Sequence, residues 1–360
     1  MRAAVLAELG APLVVEELAL RPAAEHELIV RTEATAFCIT DCLVTRGELG
    51  FPQPPTILGH SAVGVVEEVG PGVTRAKAGD RVVMPASPEC GQCYWCVRGR
   101  PDQCAQLLVP ARHVADRADG TPVTAEVGGV GSYAEYMNLR EIAVFPVESD
   151  LEAELLSVVG CGVTSGLGAV FNAAQVQPGS SVAIVGAGHL GLWMVQGARA
   201  AGAAQIVVVE PRAHRRLLAG ELGATDLVDP AEGDPVEQVR ELTGGRGADY
   251  GLEAAGPPEA MAQAFAMTRE AGTVVFTGVT DMTSEVSFPA VMIALQGRTI
   301  RSSQNGMCSM MRDIPLMVAM LESGVVDARP IINARYSLDQ INDAAQAADS
   351  RAHLTGVLVF

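Results

Sequence analysis

From residue 151 onward the chain alternates short apolar runs of strand length with longer stretches of helical periodicity. The runs VAIV (182–185) and IVVV (206–209) are continuous in apolar residues, the pattern of strands buried on both faces of a parallel sheet. Further strands are expected in TDLVD (225–229), ADYGLE (248–253), GTVVFTG (272–278) and RTIRSS (298–303), with helical patterns between them. Six strands joined by helical crossovers predict a doubly wound α/β sheet. Residues 1–150 have another texture. ELIVRTEATAF (27–37), the stretch 62–85 and GSYAEYMNL (131–139) read as strands, divided by Gly- and Pro-containing turns. LEAELLSVVGCGVTSGLGAVFNAA (151–174) reads as two helical segments. Beyond 304, two amphipathic helices (311–323 and 337–348) and a last strand, LTGVLVF, have no place in that sheet and are expected to return to the first domain. The predicted organisation is a mainly β domain of 1–162 and 305–360, and a doubly wound domain of 163–304.

Between the first two strands of the sheet lies Gly186-Ala-Gly188-His189-Leu190-Gly191. Gly186 suits the tight turn, Gly188 lets a pyrophosphate approach the backbone, and Gly191 lets the helix sit close on the strand. The helix N-terminus offers unpaired N–H groups and a positive dipole end to phosphate. The second strand ends on Glu210, about where an acid grips the adenosine ribose hydroxyls. A lone GxGxxG is a weak signal; here it stands between a strand and a helix, followed by a second strand and its acid. A dinucleotide is expected, and NAD rather than NADP, because Glu210 places a negative charge where a 2′-phosphate would sit. The opposing sign is PRAHRR (211–216), whose Arg212, Arg215 and Arg216 could attract that phosphate or simply form a solvated helix face.

Charge then removes several classes of function. A net charge of −17 and a pI near 4.8 argue against nucleic acid, whose binding depends on neutralising phosphates. No basic-then-apolar leader opens the sequence, and no run is read as approaching the roughly 20 apolar residues of a spanning helix. A soluble, cytoplasmic protein with a small-molecule substrate and no membrane partner is the expectation.

Eight cysteines in such a chain are not expected to form disulfides. Four fall in the pattern Cys90-x2-Cys93-x2-Cys96-x7-Cys104, in a loop holding Gly and Pro. Thiolates so clustered wrap one tetrahedral zinc and leave no position for a substrate, which predicts a closed structural site. Cys38, His60 and Cys161 are too scattered for spacing alone to assemble a second site, and each taken singly reads as a core thiol or an ordinary histidine.

Taken together, Cys38-x-Thr40-Asp41, Gly59-His60, the 90–104 cluster, Gly160-Cys161-Gly162 and the Gly186–Gly191 motif resemble the zinc-dependent alcohol dehydrogenases of the medium-chain dehydrogenase/reductase family. The resemblance runs over the whole chain and is strongest to the longer branch, with its liver-type and formaldehyde dehydrogenases. It implies a GroES-like catalytic domain beside a Rossmann domain, and two zinc ions per chain. Cys38, His60 and Cys161 would hold the catalytic zinc with a fourth position open. Thr40 would pass on the alcohol proton, and Asp41 would orient the histidine. Ser165, Gly278 and Val279 would line the nicotinamide, and Glu210 would meet the ribose with Arg215 nearby. A homodimer joined along the sixth strand is likewise implied.

The sequence departs from the family pattern at several positions. Ser61 follows His60 where relatives carry Glu, Cys42 stands for the histidine that ends the proton relay, and Ile39 and Thr355 replace basic residues. Ala86 falls where ethanol-type relatives carry an aromatic near the zinc, leaving Tyr133 as the expected aromatic of the pocket. Interconversion of an alcohol with its aldehyde or ketone is the expected reaction. A reductase of a conjugated C=C or an iminium, where the relay matters less, is the alternative; a dinucleotide sensor without turnover is the third.

Overall fold

The computed structural model describes residues 1–50, 53–107, 111–125 and 129–360. Its internal contacts divide the chain into a first unit of Met1–Cys161, Ser309–Glu322 and Asp327–Phe360, and a second of Gly162–Cys308 and Ser323–Val326.

The first unit begins with strands β1 (Arg2–Leu6), β2 (Val14–Glu17), β3 (Ala19–Leu20) and the long β4 (Glu27–Phe37), then the short helix α1 (Ile39–Thr45). Strands β5 (Thr56–Ile57), β6 (Ala62–Val69) and β7 (Arg81–Met84) follow. After the cysteine loop come β8 (His113–Asp116), β9 (Pro122–Ala125), β10 (Tyr136–Arg140), β11 (Phe145–Pro146) and helix α2 (Ala153–Ser157). One sheet has the order β2-β1-β5-β9-β8-β3. The other is centred on β4, which pairs antiparallel with both β6 and β10. Two register shifts between β4 and β6, at Ile29/Val30 and Thr32/Ala34, mark β-bulges, which bend a strand. Leu28 and Val30 of β4 pack with Val66, Val82, Met84, Met137 and Leu139 in one core cluster of this sheet.

The second unit holds α3 (Thr164–Gly168), β12 (Ser181–Val185), α4 (His189–Ala200), β13 (Gln205–Val209), α5 (Ala213–Leu222), β14 (Asp226–Val228) and α6 (Pro235–Leu242). It continues with β15 (Ala248–Glu253), α7 (Pro258–Met267), β16 (Thr268–Phe276), α8 (Ala290–Leu295) and β17 (Thr299–Ser302). The sheet order β14-β13-β12-β15-β16-β17, parallel throughout, is the doubly wound arrangement expected from the sequence. The chain then returns to the first unit as α9 (Met310–Glu322), β18 (Ile332–Tyr336), α10 (Ile341–Asp349) and β19 (Thr355–Val359). β19 lies antiparallel along β4, and β18 extends the sheet beyond it.

Two expectations are corrected. Residues 153–174 form one helical run, because turns of π geometry at 159–163 and 169–174 carry the helix through without a break. That run is 22 residues long and holds an 18-residue window of mean hydropathy 1.5, enough by length and composition to cross a membrane, but 83% of that window is buried inside the protein. It is a core helix, and its apolar character is spent on packing.

Candidate active site and metal centres

Cys38, His60 and Cys161 converge within the first unit. Cys38 ends the extended chain after β4 and caps α1, His60 lies between β5 and β6, and Cys161 sits in the π turn after α2. One ligand atom from each lies within 4.8 Å of the other two. Backbone glycines make this approach possible. Gly59 has φ +92°, and a Cβ there would fall 2.8 Å from the Tyr133 ring. At Gly160 a Cβ would meet the Met84 carbonyl at 2.6 Å, so the π turn can press against the end of β7 only as glycine. Ala86 then donates its N–H to the Gly160 carbonyl at 3.2 Å, so the chain after β7 is bonded to the π turn that carries Cys161.

Asp41 lies behind the trio. Its Oδ1 is 3.3 Å from His60 Nδ1 and accepts the Gly59 N–H at 3.3 Å. Its Oδ2 accepts the Cys38 N–H at 3.2 Å and the Tyr133 hydroxyl at 2.6 Å. Thr40 Oγ1 is 3.4 Å from Cys38 Sγ. A hydrogen bond from Cys161, helped by His60, pulls the Cys38 thiol well below its ordinary pKa despite burial. Cys161, donating to Cys38 and buried, is pushed well above its own. Two soft sulfurs and an imidazole with one nitrogen engaged on a carboxylate form a donor set suited to zinc with an open position.

One expectation, about Tyr133, changes here, and two departures from the family pattern, Cys42 and Ser61, find their places. Tyr133 is fully buried, its ring stacked on Phe37 at 5.3 Å, so it forms no wall of a substrate pocket. Cys42 faces the Ala345 carbonyl of α10 at 3.6 Å, and burial pushes its thiol up to about 12. It is a core residue and no terminus for a proton path. Ser61 donates its hydroxyl to the Ser157 carbonyl at 2.6 Å, tying the strand after His60 to the helix before Cys161.

Cys90, Cys93, Cys96 and Cys104 form a second group, their sulfurs all within 4.8 Å. Cys96 lies 3.5 Å from Cys93 and 3.9 Å from Cys90. A tetrahedral zinc with Zn–S bonds of about 2.3 Å sets sulfurs about 3.8 Å apart, so the cluster fits that metal. Cys93 is lowered to about 6, first by the Ala105 N–H, 3.5 Å from its sulfur. Among the described residues these two groups are the clusters able to hold a metal.

In the second unit, Gly186 turns at φ +97°, and a Cβ on Gly191 would fall 1.9 Å from the Gly186 carbonyl oxygen. Only glycine permits that contact. Gly188, His189 and Leu190 remain half-exposed at the N-terminus of α4, and the His189 ring lies against Gly162, where a Cβ would overlap it. Glu210, 5% exposed, accepts the Ala187 N–H at 2.8 Å and the Arg212 N–H at 2.9 Å. Arg215 is buried beside Gly188, and Arg216 is bonded to Asp229 at 2.5 Å and to the Glu210 carbonyl. Arg215 and Arg216 therefore do not belong to a solvated face. Ser165 is buried, its hydroxyl 3.4 Å from Asn305 Oδ1, while Val279 is exposed. Glu253 was not singled out in the sequence, although an acid closing an apolar strand is a visible signal. It is wholly buried and accepts N–H groups from Ala255, Gly256 and Gly278 at 2.6, 2.5 and 3.1 Å.

Comparison with known proteins adds to this geometry. The description "Alcohol dehydrogenase GroES-like domain" matches residues 24–149, and "Zinc-binding dehydrogenase" matches residues 190–323. The geraniol dehydrogenase of Castellaniella defragrans is 39% identical over 371 residues, spanning 100% of this chain and 97% of that protein. The chain belongs to the zinc-dependent alcohol dehydrogenases of the medium-chain family. Among solved structures, an alcohol dehydrogenase zinc-binding domain protein from Burkholderia ambifaria is similar with TM-score 0.95 and 35% identity, covering 100% of this chain and 98% of that one. The benzyl alcohol dehydrogenase of Acinetobacter calcoaceticus gives TM-score 0.92 and 30% identity, covering 100% and 99%.

Proposed function

We propose that this dehydrogenase interconverts a primary alcohol and its aldehyde with NAD(H), using one zinc at Cys38, His60 and Cys161 and a second, structural zinc at Cys90, Cys93, Cys96 and Cys104. The observation that carries the reading is the convergence of two sulfurs and an imidazole within 4.8 Å, with a hydroxyl at Thr40 beside them. Zinc at such a site supplies Lewis-acid polarisation of the substrate oxygen. The chain's own groups do the rest. Alcohol oxidation removes a proton from oxygen and a hydride from carbon. Thr40 Oγ1 accepts the hydroxyl proton and releases its own, and solvent receives it because Cys42 is buried and protonated. NAD would supply the hydride acceptor; the N-terminus of α4 would hold its pyrophosphate and Glu210 its ribose hydroxyls. Glu210's carboxylate favours a free 2′-hydroxyl, whereas buried Arg215 is the group that would favour NADP.

The residue that follows β7 onto the π turn is a small one, Ala86, and two similar proteins are named for geraniol and for benzyl alcohol. Allylic and benzylic primary alcohols are therefore the substrate class proposed. A homodimer is proposed from the sheet edge: β17 is exposed, α8 buries none of its residues, and Met282, Val291, Leu295 and Ile300 present apolar surface nearby in sequence. An unpaired apolar edge of this kind invites pairing with a second copy. Light scattering giving a monomer at micromolar concentration would remove that proposal.

The test of function is NAD⁺ reduction with a panel of primary alcohols, run on the wild type and on Thr40→Val. Turnover of allylic and benzylic alcohols with a lower KM for NAD⁺ than for NADP⁺ is expected, and Thr40→Val should lose kcat at least tenfold while NADH binding persists. Wild-type kcat in Thr40→Val would remove the proton role, whereas a wild type that oxidises none of the alcohols would favour the C=C reductase reading.

A further inference from the structure

Tyr133 touches the neighbour of each of two metal-ligating positions and the carboxylate between them. Its ring stacks on Phe37 with an interplanar angle of 3°, and Phe37 immediately precedes Cys38. The same ring closes over Gly59, which immediately precedes His60; a Cβ there would stand 2.8 and 2.9 Å from two ring carbons. The backbone of the same segment is hydrogen-bonded to the chain before His60. Tyr133 N–H donates to the Leu58 carbonyl at 3.0 Å, and Ser132 N–H to the Gly59 carbonyl at 3.1 Å. At its far end the phenol donates to Asp41 Oδ2 at 2.6 Å.

Asp41 has two oxygens and four claims on them. Oδ1 faces the Gly59 N–H and His60 Nδ1; Oδ2 faces the Cys38 N–H, at 3.2 Å, and the Tyr133 hydroxyl. The phenol makes the shortest of these contacts, and a hydrogen bond to a carboxylate is among the stronger kinds in a buried setting. Without it, Oδ2 keeps one longer bond and the carboxylate is free to turn about its Cβ–Cγ bond. Such a turn carries Oδ1 away from His60 Nδ1, the contact that leaves Nε2 to a metal. We propose that Tyr133 is a positioning residue of the zinc site: its hydroxyl locks Asp41, and through Asp41 it fixes the orientation of His60 and the placement of Cys38. A phenylalanine would supply the ring stack and the contact with Gly59; only the oxygen supplies the lock. This inference rests on the reading of Cys38, His60 and Cys161 as a zinc site.

The experiment is chelator-driven zinc release from wild type, Tyr133→Phe, Asp41→Asn and the double variant, followed with a zinc-sensitive dye, with Cys161→Ser identifying the phase that belongs to the three-ligand site. Wild type is expected to release zinc in two phases, one absent from Cys161→Ser. In Tyr133→Phe that phase should accelerate at least tenfold, as loss of a partner behind a metal ligand commonly weakens binding roughly 10–100-fold. The phase from the four-cysteine cluster should not change. The double variant should release no faster than Asp41→Asn alone, because Tyr133 acts through Asp41. Cobalt substituted at the three-ligand site should show shifted visible bands in Tyr133→Phe. An unchanged release phase, or additive effects in the double variant, overturns the proposal. A wild type lacking any phase assigned to Cys161 instead overturns the zinc reading beneath it. Should Tyr133→Phe not fold, the wild type labelled with ¹³Cζ-tyrosine gives the answer. One tyrosine signal should shift when the three-ligand site is emptied and refilled, and no shift overturns the proposal.

Discussion

Glu253→Gln separates cofactor binding from metal binding with a change of one atom. Glu253 Oε1 accepts the N–H groups of Ala255 and Gly256, and Oε2 accepts that of Gly278. The substituted amide can keep one acceptor oxygen for the first pair. It then points an NH₂ at the Gly278 N–H, so one bond to a buried charge is lost and a buried donor is left facing another donor. Those two effects are worth about 1.5–3 and about 1–3 kcal/mol in general, and they overlap because they concern the same contact. A net loss of about 2–4 kcal/mol follows, equivalent to a fall in Tm of roughly 5–15 °C for a domain of this size. A Cβ at Gly278 would lie 2.4 Å from the Gly256 N, so the two turns held by Glu253 are packed on each other. If about 1.4 kcal/mol of the loss is the ordering of the 278–279 turn around the nicotinamide, Kd for NADH rises about tenfold. The assay is a fluorescence titration with NADH, beside elemental zinc analysis and a thermal scan. Weaker NADH binding with both zinc ions retained is expected. A variant with a lowered Tm and wild-type NADH affinity would refute the placement of the cofactor at this turn.

Ala86→Phe puts a ring on the segment bonded to Gly160, and should lower kcat/KM for benzyl alcohol or geraniol at least tenfold relative to ethanol; an unchanged ratio would mean that Ala86 does not bound the pocket. Cys96→Ser should yield aggregated or unfolded chain, because structural zinc contributes folding free energy directly. Cys161→Ser should instead remain folded, lose one zinc by elemental analysis and lose alcohol oxidation. The reverse pattern would exchange the roles of the two clusters.

The parts legible in the sequence were those written in neighbouring residues. The 90–104 cysteines declare their purpose because the loop is short enough for four sulfurs to meet, and the structure brings them within 4.8 Å. The glycines from 186 to 191 are likewise local, and the contact between Gly191 and Gly186 explains why that spacing recurs. Cys38, His60 and Cys161 carry no such signal. Their meeting depends on β4, α1 and the π turn at 159–163, and a π turn has no period that a helical pattern reveals. The same turn hid the continuity of residues 153–174. Strand β18 escaped notice because INARY is short and half-polar, and is held in the sheet by its pairing with β19. Tyr133 was misplaced for a plainer reason: sequence shows an aromatic near the site, and only the fold shows which way its hydroxyl points.

The proposed function turns on one zinc held by Cys38, His60 and Cys161. Its most direct test is to strip zinc from that site by dialysis against a chelator, leave the four-cysteine cluster loaded, and titrate zinc back while following NAD⁺ reduction at a fixed concentration of benzyl alcohol. Activity is predicted to be absent at the start, to rise linearly with added zinc, and to break sharply at one equivalent per chain. Turnover that persists without the metal, or that fails to return once that site is refilled, would contradict it.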